Sequence, residues 1–237
     1  MLYIVATPIG NLKDISHRAV EVLKSVDLIA CEDTRHSIVL LNAWEIKKPL
    51  ISYHKFNEKT AAESIINEVK NGKSVAVITD AGTPCISDPG QILINEAITS
   101  GIKYTVIPGA CAFINALVLS GFDSSAFMFM GFLPQNNRQR QELLNNLVNT
   151  PCTLIFYCAP HDIEKDISSL YKAFGDRKFA AVKEITKIHE RVIFGNLSEG
   201  LKEDGRGEYV LIVEGAAPAQ NPLNSLGIEK HIQYYTD

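Results

Sequence analysis

The sequence has 237 residues, 46% of them hydrophobic and 21% charged, so it can bury a core and is too apolar to be disordered. Its net charge of −4 argues against a protein that binds naked nucleic acid over a broad basic surface. The sequence has no signal-peptide pattern and no run approaching the roughly 18 apolar residues of a membrane span. The five cysteines form no C-x-x-C pair, so neither a disulfide framework nor a metal site is expected. We expect a globular cytoplasmic protein.

In the first half of the sequence, short apolar runs alternate with segments of helical period. Strands are predicted at residues 2–6, 28–31, 50–53, 74–79 and 104–107. Helices are predicted after the N-cap Ser16, from the capping-box pair Thr60 and Glu63, and in the segment that Gly101 closes. This alternation predicts an α/β fold with a mainly parallel sheet.

A similar pattern begins near Phe127. It predicts helices at residues 140–149 and 163–174, and strands at 153–157, 179–183 and 209–213. Between the halves lies a segment of small residues at 110–121, followed by a predicted hinge at 122–125. We therefore expect two α/β domains, residues 1–121 with the mainly parallel sheet and residues 122–237.

Two loops follow strands of the predicted parallel sheet, where ligands bind in such folds. ATPIGNL at 6–12 lacks the dinucleotide-binding glycine spacing, and a plain turn would use the same residue types. TDAGTPCISDPG at 79–90 contains two Asp, two Gly and two Pro, more turn-forming residues than one connection needs. Such a rigid loop can hold an adenosine or methionine moiety without cationic side chains, and a long structural turn is the alternative.

Small and ionisable residues follow the neighbouring strands. PGACA at 108–112 permits close approach of a ligand, although tight helix packing is the commoner reason for small residues. CEDTR at 31–35 fits equally a helix cap with an ion pair or part of a polar pocket. In the second half a solvated face is the ordinary explanation for the charges, and a local RNA-binding patch is the alternative. The basic residues available for that patch are Arg138, Arg140, Lys183, Lys187, Arg191 and Arg206.

Eight motifs occur in one order between residues 2 and 215: VATPIGNL, CEDTR, DAGTPxISDPG, PGxxA, GFLP, LIFY, EITKxHE and GEYVLIVEG. In this order they resemble the ribosomal RNA small-subunit methyltransferase I family, within the tetrapyrrole-methylase superfamily. The resemblance implies two α/β domains of tetrapyrrole-methylase type with S-adenosylmethionine in the cleft between them, and a homodimer. It also implies 2′-O-methylation of a cytidine in the decoding region of 16S rRNA within the small ribosomal subunit. If the substrate is an assembled subunit, the protein does not have to bind naked RNA unaided, so its net charge of −4 argues less strongly against an RNA substrate.

Carried over by position, the resemblance implies the site residues. The cofactor-binding residues are Pro8, Asp80, Ala81, Gly82, Pro84, Ile86, Ser87, Ala110, Cys111, Ala112, Phe132 and Leu133. The substrate-binding residues are Gly10, Asn11, Arg35, Asn57 and Lys187. A ribose hydroxyl is a poor nucleophile and needs an acceptor for its proton. The candidates, among which the sequence does not choose, are Glu32, Asp33, His54 and Glu58.

The sequence departs from the family pattern at four positions. Members often have a second His at Phe56, Arg at Asp162 and Lys183, and Lys at Arg206. Two other interpretations stay open: a methyltransferase acting on a small macrocycle such as a corrin precursor, and a non-catalytic protein that binds S-adenosylmethionine. VATPIGNL and CEDTR argue against the first, and the intact loops at every strand end argue against the second.

Overall fold

The computed structural model describes residues 1–202 and 206–217. In these ranges ten strands form two five-stranded sheets, and no helix is long and apolar enough to cross a membrane. The first sheet contains β1 (Leu2–Val5), β2 (Leu28–Cys31), β3 (Leu50–Ser52), β4 (Val75–Ile78) and β5 (Tyr104–Ile107). Each strand is followed by a helix, namely α1 (His17–Ser25), α2 (Thr34–Ala43), α3 (Glu58–Lys70), α4 (Gln91–Thr99) and α5 (Ala112–Ser120).

The first sheet is parallel throughout, which confirms the predicted arrangement, with the strand order β3-β2-β4-β1-β5. Every residue of β2 and β4 is buried, as expected for strands covered on both faces. Helices α3 and α4 pack on one face, and α1 and α2 on the other. Because the strands are parallel, the loops that follow them meet at one edge of the sheet.

The second sheet is mixed, although the second half was expected to repeat the pattern of the first. Its elements are β6 (Phe127–Phe132), α6 (Asn137–Leu147), β7 (Thr153–Cys158), α7 (Ile163–Phe174), β8 (Lys178–Lys183), β9 (Arg191–Asn196) and β10 (Tyr209–Val213). The strand order is β6-β7-β10-β8-β9, and only β6 and β7 pair in parallel. No α-helix separates β8 from β9, and a parallel return needs such a crossover, so this pair is antiparallel. Strands β6 and β9 were not predicted.

Helix α1 begins where the sequence predicted: the Ser16 hydroxyl oxygen caps it by accepting from the Ala19 amide at 3.1 Å. Two other helices begin earlier than predicted. Helix α3 has Asn57 as its N-cap, and the Thr60 hydroxyl donates to the Asn57 carbonyl at 3.1 Å instead of capping the helix. Helix α6 is capped by the side chain of Asn136. Asparagine and threonine are both favoured at N-caps, so the capping-box pattern alone does not show which of two nearby residues begins the helix.

Helix α5 follows the first sheet in sequence but packs against the second. Its buried residues Ala116 and Leu117 share a core with Ile155 of β7, Val182 of β8 and Ile212 of β10. The chain therefore changes sheet between the end of β5 and the start of β6. The division into domains 1–121 and 122–237 stays a prediction, and residues 203–205 and 218–237 of the second lie outside the described residues.

Candidate active site

A cleft of about 380 Å³ separates the carboxyl edge of the first sheet from the second sheet. Its volume is within the range of small-molecule sites. The first half contributes Ile9, Glu32, the segment 79–83, Ile86, Ser87, Asp88, Cys111 and Ala112. The second half contributes Phe132, the segment 157–160, Val182, Ile185, Glu208, Tyr209 and Val210. No Lys, Arg or His is among these lining residues, so the cleft suits a ligand without phosphate groups.

Hydrogen bonds join the loops that follow β1, β4 and β5 into one surface. The amide of Thr7 donates to the carbonyl of Gly82 at 2.8 Å, and the amide of Gly82 donates back to Thr7 at 3.1 Å. The buried Thr7 hydroxyl also donates to the Thr79 carbonyl at 3.0 Å. Thr83 extends the connection by donating from its hydroxyl to the carbonyl of Ala110 at 3.1 Å. The first wall of the cleft is thus fixed without a ligand.

The loop after β4 has an unusual backbone. Cys85 and Ser87 have positive φ angles of 72° and 62°, which non-glycine residues rarely adopt and which cluster at functional sites. Gly90 has a φ of 149°, and a Cβ there would lie 2.1 Å from Cys85 Sγ, so the position requires glycine. Its amide donates to Glu58 Oε1 at 2.9 Å. This backbone shape places Ile86 and Ser87 in the wall of the cleft.

Most of the predicted cofactor-binding residues line the cleft. Those that do are Asp80, Ala81, Gly82, Ile86, Ser87, Cys111, Ala112 and Phe132. Four others lie behind or beside the surface. Pro8 lines a neighbouring cavity, Pro84 is buried within its loop, Ala110 supplies the carbonyl that Thr83 binds, and Leu133 belongs to the core of the second sheet.

Among the four predicted proton acceptors, only Glu32 lines the cleft, where its Oε2 accepts from the Thr79 hydroxyl at 3.2 Å. Asp33 is the N-cap of α2, and its hydrogen bonds from the Arg35 side chain and amide lower its pKa to about 2. Glu58 accepts from the Gly90 amide and, at 3.3 Å, from the Tyr53 hydroxyl. Asp33 and Glu58 thus have structural partners, and neither lines the cleft.

His54 and Asn57 shape the loop after β3. The His54 amide donates to Asn57 Oδ1 at 2.8 Å, and Asn57 Nδ2 donates to the Ser52 carbonyl at 3.0 Å. The His54 Nδ1 atom is buried and has no hydrogen-bond partner among the described residues, and the His54 ring meets Phe56 edge-on at a centroid distance of 6.1 Å. Neither His54 nor Asn57 lines the cleft.

Asp88 lies in the cleft and was not among the predicted proton acceptors. Its burial raises the pKa of the carboxyl to about 6, and the charges of Glu32 and Asp80 act in the same direction. A carboxylate whose pKa is near neutrality is well matched to accepting a proton at physiological pH. The SDPG sequence contained this residue, but the sequence does not show that the carboxyl is buried.

Sequence reasoning also missed most of the second wall. Tyr157, the segment 158–160, Ile185 and Tyr209 lie at or beyond the ends of β7, β8 and β10. The sequence motifs LIFY, EITKxHE and GEYV contain or adjoin these residues. They supported the family resemblance, but no residue of LIFY or GEYV, and only Lys187 of EITKxHE, was predicted to belong to the site. In an antiparallel sheet the carboxyl ends of the strands lie at both edges, so the position of a motif at a strand end does not show whether it borders the cleft.

A second cavity of about 260 Å³ adjoins the cleft and shares the wall residues Ile9, Thr79, Asp80, Ala81 and Glu208. Of the predicted substrate-binding residues, Gly10 and Lys187 line it. A Cβ on Gly10 would lie 2.7 Å from Lys187 Cγ, so the first loop approaches the second half closely only because this residue is glycine. Asn11 caps a short 3₁₀ turn, Arg35 pairs with Asp33, and neither lines this cavity.

The predicted basic patch was wrong for two residues. Arg140 and Lys183 are only 4% and 5% exposed, so neither can belong to an RNA-binding surface. Arg140 instead forms an ion pair with Asp166 at 3.0 Å. Arg138 is exposed and pairs with Glu142 at 2.9 Å.

Solved structures and family comparison agree with this architecture. The chain is similar to uroporphyrin-III-C-methyltransferase from Thermus thermophilus, with a TM-score of 0.65, 19% identity and coverage of 90% of this chain and 93% of that one. It is also similar to diphthine synthase, with a TM-score of 0.70, 17% identity and coverage of 90% and 89%. The family described as Tetrapyrrole (Corrin/Porphyrin) Methylases matches residues 1–200. The match over residues 1–200, together with this fold, therefore assigns the chain to the tetrapyrrole methylase family.

Curated relatives identify the branch of that family. Ribosomal RNA small subunit methyltransferase I of Halalkalibacterium halodurans is 40% identical over 242 aligned positions, which cover 99% of this chain and 84% of the relative. The Haemophilus influenzae protein of the same name is 44% identical, covering 93% and 81%. Within the tetrapyrrole methylases, the chain belongs to the ribosomal RNA small subunit methyltransferase I family.

Proposed function

We propose that the protein transfers the methyl group of S-adenosylmethionine to the 2′-oxygen of a cytidine ribose in the decoding region of 16S rRNA, within the small ribosomal subunit. The observation that carries the proposal is the cleft itself, whose lining, over the residues that the structure describes, has no cationic side chain and includes the carboxylates Glu32, Asp80, Asp88 and Glu208. Membership of the family, at 40% identity and above to relatives of that name, supports the choice of acceptor. With a ribosomal substrate, we propose that the protein acts in the cytoplasm.

The residues present fit S-adenosylmethionine. The cofactor carries a positive sulfonium and no phosphate, in keeping with a wall of carboxylates and backbone groups. Ala81, Gly82 and Ala112 leave room for a ligand, and Phe132 and Tyr157 supply apolar surface on the opposite wall. The cofactor would be held by the loop 79–88 on one side and by the second-half residues on the other. When bound, it supplies an electrophilic methyl group.

The protein contributes alignment and proton acceptance. The fixed loops of the first half and the second-half wall hold the two reactants in one geometry, which can supply a large part of the acceleration. The 2′-oxygen would form its bond to the methyl carbon as the bond between that carbon and sulfur breaks, with the electron pair staying on the sulfur of the departing thioether, and the hydroxyl proton would pass to a carboxylate of the cleft. Asp88, with a pKa raised to about 6 by burial, is the best-suited acceptor, and Glu32 lines the same cleft.

Label transfer tests this function. Purified protein is incubated with tritiated S-adenosylmethionine and small ribosomal subunits that lack the modification. We expect label in 16S rRNA that survives alkaline hydrolysis as a 2′-O-methylated dinucleotide, because methylation blocks cleavage at that ribose. Cofactor binding without label in either subunits or naked rRNA would reject the RNA acceptor and favour a small macrocycle or a non-catalytic role.

The proposal includes a homodimer, supported by exposed apolar side chains on neighbouring elements. They are Tyr104 and Val106 of β5, Ile114, Val118 and Leu119 of α5, and Phe127 and Met128 of β6. Strands β5 and β6 are edge strands of their sheets, and an exposed apolar edge strand is prone to pair with another chain. A second copy of the chain is the occupant we propose for this apolar face.

Light scattering after size-exclusion chromatography tests the dimer. The wild-type protein should elute at about twice the chain mass of 26.1 kDa. Val118→Glu places a charge on a side chain that is 74% exposed on the apolar face, and should give a monomer. Phe194→Glu, on β9 at the opposite edge of the second sheet, is the matched control and should stay dimeric. A monomeric wild type, or dissociation of both variants, would contradict the proposed interface.

A further inference from the structure

The second cavity beside the cleft has properties that a cofactor does not explain. It shares the wall formed by Ile9, Thr79, Asp80, Ala81 and Glu208 with the cleft, and extends from there between the loop after β1 and helix α2. We infer that this second cavity receives the base of the target nucleotide, turned out of the RNA, while its ribose lies at the shared wall. The inference rests on the proposed function.

The position of the cavity follows from the reaction. The 2′-oxygen must reach van der Waals contact with the methyl carbon, so the ribose has to border the cofactor. The shared wall is where ligands in the two cavities would meet. The base attached to that ribose then extends into the second cavity. Its volume of about 260 Å³ is slightly below the roughly 300–1,000 Å³ of sites for larger ligands, and suits a single nucleoside.

The lining of the second cavity favours an uncharged, flat group. Of the apolar residues in its lining, Pro8 and Leu40 are buried, whereas Leu12 and Val39 are 43% and 60% exposed. Such exposed apolar side chains are suited to contact the face of a base that has left its stack. Val39 lies outside the buried face of α2, which contains Leu40 and Leu41.

The charges of the cavity oppose entry of a phosphate. Asp80 and Glu208 are carboxylates in its wall. The ammonium of Lys187 lies 2.7 Å from Glu208 Oε2 and 3.2 Å from Glu184 Oε1, so its charge is balanced within the protein. His36 Nδ1 is 3.6 Å from Asp80 Oδ2 at the exposed edge. The RNA backbone therefore stays outside, and the base enters.

The same carboxylates distinguish cytosine from uracil. The exocyclic amino group of cytosine donates hydrogen bonds, and a carboxylate is its usual partner in proteins. Uracil has a carbonyl at that position, which would face Asp80 or Glu208 without a hydrogen bond. We expect cytidine to be preferred over uridine by about ten- to a hundredfold in kcat/KM.

Two tryptophan substitutions on α2 test the cavity. Val39→Trp fills the second cavity, whereas Ile38→Trp, at the next residue, is also exposed and lies outside it. We expect Val39→Trp to lower label transfer to unmodified subunits about 100-fold while leaving the dissociation constant for S-adenosylmethionine unchanged. Ile38→Trp should transfer label like the wild type. The unchanged cofactor affinity also shows that the variant is folded.

Each other outcome overturns the inference. Wild-type transfer by Val39→Trp would show that no part of the substrate enters the cavity. Equal loss in both variants would show a general effect on the docking of α2, and loss of cofactor affinity in Val39→Trp would assign the cavity to the cofactor. Subunits carrying uridine at the target position must also react more slowly with the wild type, and equal rates would exclude base recognition. Absence of label with the wild type and unaltered subunits would instead reject the proposed function, and with it this inference.

Discussion

Replacing Arg140 with methionine is expected to lower the free energy of unfolding by about 3–5 kcal/mol, because it leaves a buried carboxylate without its partner. The Arg140 and Asp166 side chains are 5% and 4% exposed, with Nη1 3.0 Å from Oδ1. Nε of Arg140 also donates to the Pro134 carbonyl at 2.9 Å. Burial raises the pKa of the Asp166 carboxyl, and the charge of Arg140 opposes that rise. Denaturant unfolding of the wild type and the variant measures the difference.

The same helix provides the control for this substitution. Arg138→Met removes an exposed arginine from α6, where it pairs with Glu142 in water, and should leave the unfolding midpoint almost unchanged. The double variant Arg140→Met, Asp166→Leu should recover much of the lost stability, because it removes the unpaired charge as well. If Arg140→Met were no less stable than Arg138→Met, the buried pair would not contribute to the fold.

Asp88→Asn is expected to slow methyl transfer by about 10²–10⁴-fold and to change its pH dependence. With a pKa of about 6, raised chiefly by burial, the Asp88 carboxyl is protonated below that pH and cannot accept the hydroxyl proton. The wild-type rate should therefore fall as the pH decreases through about 6. Asparagine has no proton to exchange in this range, so the residual rate of the variant should lack that acidic limb. Single-turnover rates between pH 5 and 8 would show both effects.

Asp27→Asn makes the same chemical change at the amino end of β2, on the side of the first sheet away from the cleft. The Asp27 carboxylate accepts from the Ser74 amide at 2.7 Å and lines neither the cleft nor the second cavity. Its variant should transfer methyl groups at the wild-type rate with the wild-type pH profile. The rate of Glu32→Gln, compared with that of Asp88→Asn, then shows which of these two cleft carboxylates matters more for proton acceptance. Should Asp88→Asn retain the acidic limb and the full rate, another group accepts the proton.

The sequence predicted most of the first half because its signals are local. Four-residue apolar runs became β2 and β4, and the loops that follow them contain Glu32, Asp80, Gly82 and Asp88, which line the cleft. What it could not show was the burial of Asp88, since the pKa of a carboxyl depends on neighbours that are distant in sequence. Glu58 was misleading for the same reason, because the Gly90 amide that it binds is 32 residues away. The partner of Asp33 is local, and the helix cap with an ion pair was one of the two interpretations of CEDTR.

The second half was predicted less well for identifiable reasons. Strand β9 has the sequence RVIFGN and is an edge strand with no buried residue, so its pattern is weak. Arg140, by contrast, could have been recognised as buried. It shares one face of α6 with Leu144 and Leu147, at the spacing of four and seven residues that marks the buried side of a helix. Its charge led to its assignment to the surface.

The arrangement of the second sheet has a consequence for synthesis of the chain. Strand β10 is the last described strand in sequence but lies in the middle of its sheet, between β7 and β8. The first sheet needs nothing beyond β5, so it can form while the ribosome is still translating the remainder. Helix α5 and strands β6–β9 must wait for residues 209–213 to emerge before their shared core closes. Until then the apolar residues of this core are not fully covered, and the second half of the nascent chain is accessible to chaperones and proteases.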